Sequence, residues 1–470
     1  MRLSHARAAV TARFDDPNLV SCAGLVPVMA LAQRCGLATL LAQRLTITAR
    51  GGANAAVKIL ALVAGMVAGA DSIDDMDLLR HGGMSRLFDG IRAPSTLGVF
   101  LRLFTFGHVR QLDAVAAGFL ARLAAAAPVL PDADQVVFVD IDDTVRQTYG
   151  YAKQGAGRGY TGIKGLNALL AVTSTPISAP LIAATRLRKG STNSARGAAK
   201  LLADALATTR RAGATGLLLV RADSAYYSHD IVAACRRAGA RFSITARLTP
   251  TVAAAITSID EQAWVPIQYP HAIYDEQEQR WVSDAEVAET TLTAFTGRRK
   301  RDHVTARLIV RRVRRLNPAT APAGQQRPGQ GRQGELFAAY RYHAVFTDNT
   351  EPMLAAEATH RDHAIVEQVI AELKSGPLAH LPSGVFTANA AWLACAAIAH
   401  NLTRAAGALA GGRHTRTRTA TIRTQLIHTP ARIAHSAHRQ ILHLPRDWPW
   451  ETGLDELFRR ALHDPLPTAA

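Results

Sequence analysis

The sequence predicts an α/β chain in three parts: an all-α N-terminal region, a mixed α/β core carrying a β-rich insertion, and a basic helical tail. Three observations carry that expectation. Up to about residue 130 apolar residues recur at the three and four spacing of an amphipathic helix. Beyond that point they fall into short runs between turn residues, with helical stretches between the runs. From about residue 406 to the end the composition turns strongly basic.

Taken in order, "LVPVMALAQRCGLATLLAQ" and "TLGVFLRLFTFGHVRQLDAVAAGFLARLAAA" read as helices, the second started by Pro94 with Ser95 as its N-cap. The linker "APVLPDADQ" at 127–135 closes a helical region expected over 1–130. The core is expected over 131–405. Its strands are "VVFVDID", "LNALLAVTST", "APLIAATRL", "GLLLVRAD" and "RFSITARL", and "STNSARGAAKLLADALATTRRAG" supplies a helix between them. An insertion over about 250–338 is rich in charge and poor in helical period, and ends in the loop-like "NPATAPAGQQRPGQGRQ". After the strand "YRYHAVFTDN" comes one long helix, "TEPMLAAEATHRDHAIVEQVIAELKSG", capped by Thr350 and stopped near Gly376. The tail occupies 406–470.

Composition narrows the function. With 470 residues, 48% of them hydrophobic, the chain has ample material for a large core. Its 4 cysteines are scattered without a C-x-x-C pair, which argues against a disulfide framework or thiolate metal site and suits a reducing cytoplasm. No uncharged apolar run reaches the ~18 residues of a membrane span; the nearest approach, "AAVKILALVAGMVAGA", is interrupted by Lys58 and reads as a buried helix. A net charge of +17 points to a polyanionic partner. The charge is also clustered. Residues 296–333 hold eleven basic residues against one acid, and from Asn401 to Arg446 eight arginines stand with no acid, the footprint expected of phosphate-backbone contacts with double-stranded DNA.

The chemistry centres on "VVFVDIDDTV" at 136–145. Residues two apart on a strand face the same side, so Asp140 and Asp142 emerge together. With Asp223 closing "GLLLVRAD", acids at the ends of two apolar strands form a hard oxygen set suited to Mg²⁺ and to phosphate esters. Arg186, Arg188 and Lys189 lie beside this set as candidates for DNA backbone contacts. A helical step of seven residues drifts only about 20°, so Glu367 and Lys374 share a face, with His363 four residues before Glu367. His360, His363 and Glu367 also form an H-x-x-H-x-x-x-E pattern, but no H-E-x-x-H zinc motif is present.

Two enzyme groups share parts of this pattern. "VVFVDIDDTV" resembles the nucleophile motif of haloacid-dehalogenase-like phosphohydrolases, in which Asp140 would be the nucleophile and Asp142 the general acid/base; the lysine and later acid pair of that group are not matched around Asp223. The second resemblance covers roughly residues 130 to 450. "DIDDTV", "VRADSAYYS" and "HRDHAIVEQVIAELK" resemble the three motifs of the DDE-type transposases of insertion sequences. The likeness is to the cut-and-paste DDE domain group 1, whose third motif reads Y, two residues, R, three residues, E, six residues, K. Glu367 and Lys374 match in identity and spacing, while His360 and His363 stand at the Tyr and Arg positions. "FTANAAWLACAAIAHNLTRAAG" resembles the helix that follows the catalytic Glu, and "PARIAHSAHRQILHLPRDWPW" a tail of the actinobacterial branch.

That resemblance implies a ribonuclease-H-like core in which Asp142, Asp223 and Glu367 hold two Mg²⁺ ions, with Mn²⁺ as a substitute. Lys374, His363 and His360 would touch DNA phosphates, Asp140 would be a secondary member of the site, and the N-terminal region would bind DNA. It further implies cleavage at terminal inverted repeats, strand transfer into target DNA, and a homodimer in the synaptic complex. A flipped base would stack on an aromatic side chain such as Trp264, Trp281 or Tyr342, each of which also suits a plain core or strand-pairing role. An inactive DNA-binding relic is the remaining alternative.

Overall fold

The computed structural model describes residues 11–464 apart from 150–152, 160, 268–273, 276–279, 282–284, 315–339 and 437–438. The loop expected at "NPATAPAGQQRPGQGRQ" and the side chain of Trp281 lie outside the described residues. The chain divides into two units, one formed by residues 116–374 and one by residues 1–115 together with 375–470.

The 116–374 unit is built on one large mixed sheet. Its first strand, β1 (Val136–Gln147), pairs antiparallel with β2 (Lys164–Ser174), which pairs antiparallel with β3 (Leu181–Lys189). On its other side β1 runs parallel to β4 (Leu217–Ala222), and β4 parallel to β5 (Arg241–Thr245), giving the order 3-2-1-4-5. The strands of the insertion, β6 (Ala285–Ala294) and β7 (Val304–Arg314), do not form a separate body. They extend the same sheet through β8 (Tyr340–Thr347), which pairs with β5. Antiparallel pairing lets β6 and β7 lie side by side across the single turn 295–303.

Side-chain pattern decides which faces are covered. In β1 the alternate residues Val137, Val139 and Ile141 are fully buried against α1 (Ala198–Arg211) and α2 (His229–Arg237), in a core that includes Leu201, Leu202, Leu206, Ile231 and Val232. Strand β2 is buried on both faces, which is why "GLNALLAV" reads as a near-continuous apolar run. Helix α2 is oriented by charge as well, with Asp230 in its first turn and Arg236 and Arg237 in its last.

The long helix expected after β8 is two helices. α3 (Met353–Arg361) and α4 (Ile365–Lys374) are joined by a single 3₁₀ turn over Asp362–Ala364, and the N-cap is Pro352 rather than Thr350. Arg221 donates to the Thr359 carbonyl at 2.8 Å and His363 bonds to Asp140, so side-chain contacts to the sheet occupy the junction. α4 packs across β1 and β2 through Val366, Val369, Ile370 and Leu373.

In the other unit the helix Phe386–Ala410 is buried almost throughout, and Trp392 donates its indole N–H to the Pro377 carbonyl. The helix beginning at Pro94 has Ala93, not Ser95, as its N-cap, because proline at the first helical position already supplies the right φ. The basic tail is not wholly helical: Ala431–Ser436 and Arg439–His443 form a hairpin that pairs with Leu19–Val20, followed by a helix over Glu451–Leu462. Alternation decides it, since Ile433 is buried between exposed Arg432 and half-buried Ala434. Among the described residues no single helix is long and apolar enough to cross a membrane. Helix Ala55–Val67 buries Lys58, whose amine donates to the carbonyls of Gly51 and Ala53 at 2.7 Å each.

Candidate active site

The parallel pairing of β1 with β4 ends at Ile141 opposite Ala222, so the next register step sets Asp142 beside Asp223. Asp142 is therefore not at the end of its strand. β1 continues to Gln147 alongside β2, and the carboxylate stands at the fork where the parallel neighbour stops. Burial pushes the Asp142 carboxyl up to about 7; the backbone N–H of Asp143, 2.7 Å from Oδ1, opposes this and the Asp223 charge adds to it. Burial likewise raises Asp223, whose Oδ1 accepts from the Ala225 N–H at 2.9 Å. Two carboxylates side by side, Asp142 half-buried and Asp223 open to solvent, are an arrangement that a hard divalent cation relieves.

Beneath this pair lies an ion pair that replaces the expected second exposed carboxylate. Asp140 is fully buried, with Arg221 donating Nε–H to Oδ1 at 2.7 Å and Nη2–H to Oδ2 at 2.8 Å. Burial alone would raise Asp140, but the Arg221 charge and the bonds from His363 and Arg221 carry it below the usual carboxylate range. With both oxygens so engaged it cannot attack phosphorus, and the phosphohydrolase reading of "VVFVDIDDTV" loses its nucleophile.

The histidines are placed differently from the sequence expectation. His360 is buried under β5, with Nδ1 bonded to Ser243 Oγ and Nε2 to Thr245 Oγ1, each at 3.0 Å. Burial, then the nearby His363 and Arg221 charges, push it down to about 3. A neutral ring with both nitrogens used inside the fold has nothing left for DNA phosphate. His363 bonds through Nδ1 to Asp140 Oδ1 at 3.1 Å and lies parallel to the His360 ring, 6.4 Å away; its charge acts on both Asp142 and Asp223.

Of the basic candidates, Arg188 is buried and serves Asp143, Asn167 and the carbonyls of Ser194 and Arg196, so its donors are consumed within the protein. Arg186 pairs with Asp204 at 3.6 Å. Lys189 is exposed at the end of β3. Lys374 is exposed at the end of α4 and lines a cavity of about 210 Å³ with Asp143, Thr144, Asn167, Thr192 and Ser194. Glu367 is exposed in the first turn of α4. Among the described residues no three His, Cys, Asp or Glu side chains are grouped closely enough to hold a metal ion.

Three residues of the site escaped sequence reasoning. Asp143 anchors the Arg188 and Asn167 network, Arg221 holds Asp140, and Tyr226 is fully buried with a hydroxyl that has no hydrogen-bond partner among the described residues. Burial and the carboxylates of Asp143, Asp142 and Asp223 all raise the Tyr226 phenol, which keeps its proton. A signal for Arg221 was available: a charge inside the apolar "GLLLVRAD" needs a buried partner of opposite sign. Of the aromatics considered for stacking, Trp264 is buried with the Arg312 guanidinium 4.2 Å over its ring, and Tyr342 packs against it.

Comparison with known proteins agrees with one of the two resemblances. The family model described as transposase DDE domain group 1 matches residues 3–464. No curated protein matches the chain.

Proposed function

This chain belongs to the transposase DDE domain group 1 family, and from that premise we propose that it cuts the ends of a mobile DNA segment and joins them to target DNA by cut-and-paste transposition. The observation that carries the reading is the juxtaposition of Asp142 and Asp223, two carboxylates with raised pKa at the fork of β1 and β4. The strand order 3-2-1-4-5, with β1 to β3 antiparallel and β4 and β5 parallel to β1, supports assigning the core to the ribonuclease-H-like class. The 1–130 region is proposed to bind terminal inverted repeats, and a homodimer to hold two ends together.

Asp142 and Asp223, with Glu367 on α4 as the third carboxylate of the family pattern, are the residues that would hold Mg²⁺, which would supply Lewis-acid polarisation of a phosphodiester and a lowered pKa for an attacking water or 3′-hydroxyl. The chain's own groups do the rest. The Asp140–Arg221 pair fixes β1 against β4 and so sets the spacing of the two aspartates. His363, held by Asp140, places positive charge potential beside both carboxylates. Tyr226 keeps a phenol proton buried among them, a donor for an oxygen entering the site. Lys374 is positioned to neutralise a phosphate lying in the adjoining cavity.

The test is Mg²⁺-dependent cleavage of linear DNA carrying the sequences that flank the gene, with a generic phosphate-ester assay alongside. Defined cuts by wild type, lost in Asp142→Ala and in Glu367→Gln, are expected. Ester hydrolysis that survives Glu367→Gln, with intact DNA, would overturn the reading. DNA binding without any cut would leave only a DNA-binding protein.

A further inference from the structure

The hairpin joining β6 to β7 carries Arg298, Arg299, Lys300 and Arg301, four consecutive cations, all exposed. Such a run is usually a mobile, solvated turn, but this one is anchored. Phe295, just before it, has φ of 61°, a left-handed conformation that a bulky side chain adopts only when its surroundings enforce it. Those surroundings are aromatic: the Phe295 ring lies 5.3 Å from Tyr227, 6.0 Å from His229 and 6.2 Å from Phe346. Past the turn, His303 Nε2 bonds to the Arg298 carbonyl at 3.1 Å, and a 3₁₀ turn over Lys300–Asp302 shapes the return.

The anchor also fixes where the cations stand. Tyr227 lies four residues beyond Asp223, in the segment that turns away from the end of β4. Arg298 reaches back to Asp230 at 3.3 Å and His229 Nδ1 at 3.2 Å, at the start of α2. Arg247 ties the same segment down by donating to the carbonyls of Ser224 and Ala225. The basic tip is thus held to Tyr227, His229 and Asp230, the segment that follows Asp223. Of its four cations Arg298 is answered by Asp230 and Arg301 lies 3.9 Å from Asp302, while Arg299 and Lys300 have no recorded acidic partner among the described residues.

We propose that this tip is a fixed phosphate clamp: Arg299, Lys300 and Arg301 grip the backbone of duplex DNA flanking the bond presented to Asp142 and Asp223. The inference rests on the transposase reading and deepens it, since it names the surface on which the duplex lies. A rigid clamp loses less conformational freedom on binding than a floppy basic loop, and its contacts, being with phosphates, position the duplex without reading its sequence.

The experiment measures DNA affinity against salt for the full chain on a flanking-end duplex. Each phosphate contact contributes about 0.9 to the slope of log K against log salt, so Arg299→Ala/Lys300→Ala/Arg301→Ala is expected to flatten the slope by about 2 to 3. A matched control, Arg211→Ala/Arg236→Ala/Arg237→Ala, removes three exposed arginines from the C-terminal ends of α1 and α2; it is expected to leave the slope as in wild type. Phe295→Gly keeps every cation but removes the aromatic anchor, and is expected to weaken binding while retaining the slope. Equal slopes in wild type and the tip variant, or an equal loss in the control, overturn the clamp while leaving the transposase reading intact. A wild-type protein that neither binds nor cuts the duplex overturns both.

Discussion

Arg221 and Asp140 occupy neighbouring strands with exposures of 1% and 0%, so each is tolerable only because of the other. Removing one partner of such a pair leaves an uncompensated buried charge at a cost of roughly 3–5 kcal/mol. Arg221→Met is therefore expected to lower urea unfolding stability by about that amount, and Arg221→Met with Asp140→Leu to recover most of it. Tyr226 makes the opposite case. Its hydroxyl has no hydrogen-bond partner among the described residues, so Tyr226→Phe should leave the melting temperature unchanged or raise it. If the phenol serves the reaction, cleavage should still fall by about 3- to 10-fold, the worth of one neutral hydrogen bond; unchanged cleavage would assign Tyr226 to packing alone. Asp142 and Asp223 were legible because acids ending apolar runs are conspicuous. Tyr226 was not, because "SAYY" beside a strand looks like ordinary core. His360 was misplaced because spacing along a helix gives its angle but not what lies opposite, and opposite it are Ser243 and Thr245.

At the scale of elements, the break between α3 and α4 has no sequence mark: neither Pro nor Gly occurs between Met353 and Ser375. A period of 3.6 persists through a single 3₁₀ turn, so "EATHRDHAIVEQVIAELK" reads as one helix. Within α4, however, Glu367 and Lys374 do share a face, as their spacing requires. Both are exposed, and this separates fold from function. Glu367→Gln should change stability by no more than about 0.5 kcal/mol while abolishing cleavage. Lys374→Ala should leave the fold intact and flatten the salt slope of DNA binding by about 1. The insertion was legible as strands but not as an extension of the main sheet. The link is the pairing of β5 with β8, Thr245 with Val345, which lie about 100 residues apart in sequence and leave no local mark.

For the whole molecule, charge and period foretold a large α/β protein with a polyanionic partner, whereas the joining of 1–115 with 375–470 in one unit had no local signature. Contacts such as Leu19 with Arg432 are distant in sequence and close only in the finished fold. Global stability should also respond to acid. His360 titrates near 3 in the folded chain against an ordinary 6.5, so the unfolded chain takes up that proton first. Its contribution is complete above pH 6.5 and is lost as pH falls toward 3, by up to ~1.4 kcal/mol per pH unit. Denaturant titrations at pH 7, 5.5 and 4.5 check this, and His360→Gln should flatten the dependence.

The bonds that Arg221 makes to Asp140 and to the Thr359 carbonyl also govern timing during synthesis. At ~5–20 residues per second, the stretch from Asp142 to Thr359 takes roughly 10–45 s to emerge. Through that interval the nascent chain holds the first aspartate, and later the second, without the helix that seats against them. Fragments that end after Arg221 but before Thr359 keep the Asp140–Arg221 pair but lack the carbonyl by which Arg221 anchors the strand fork to α3.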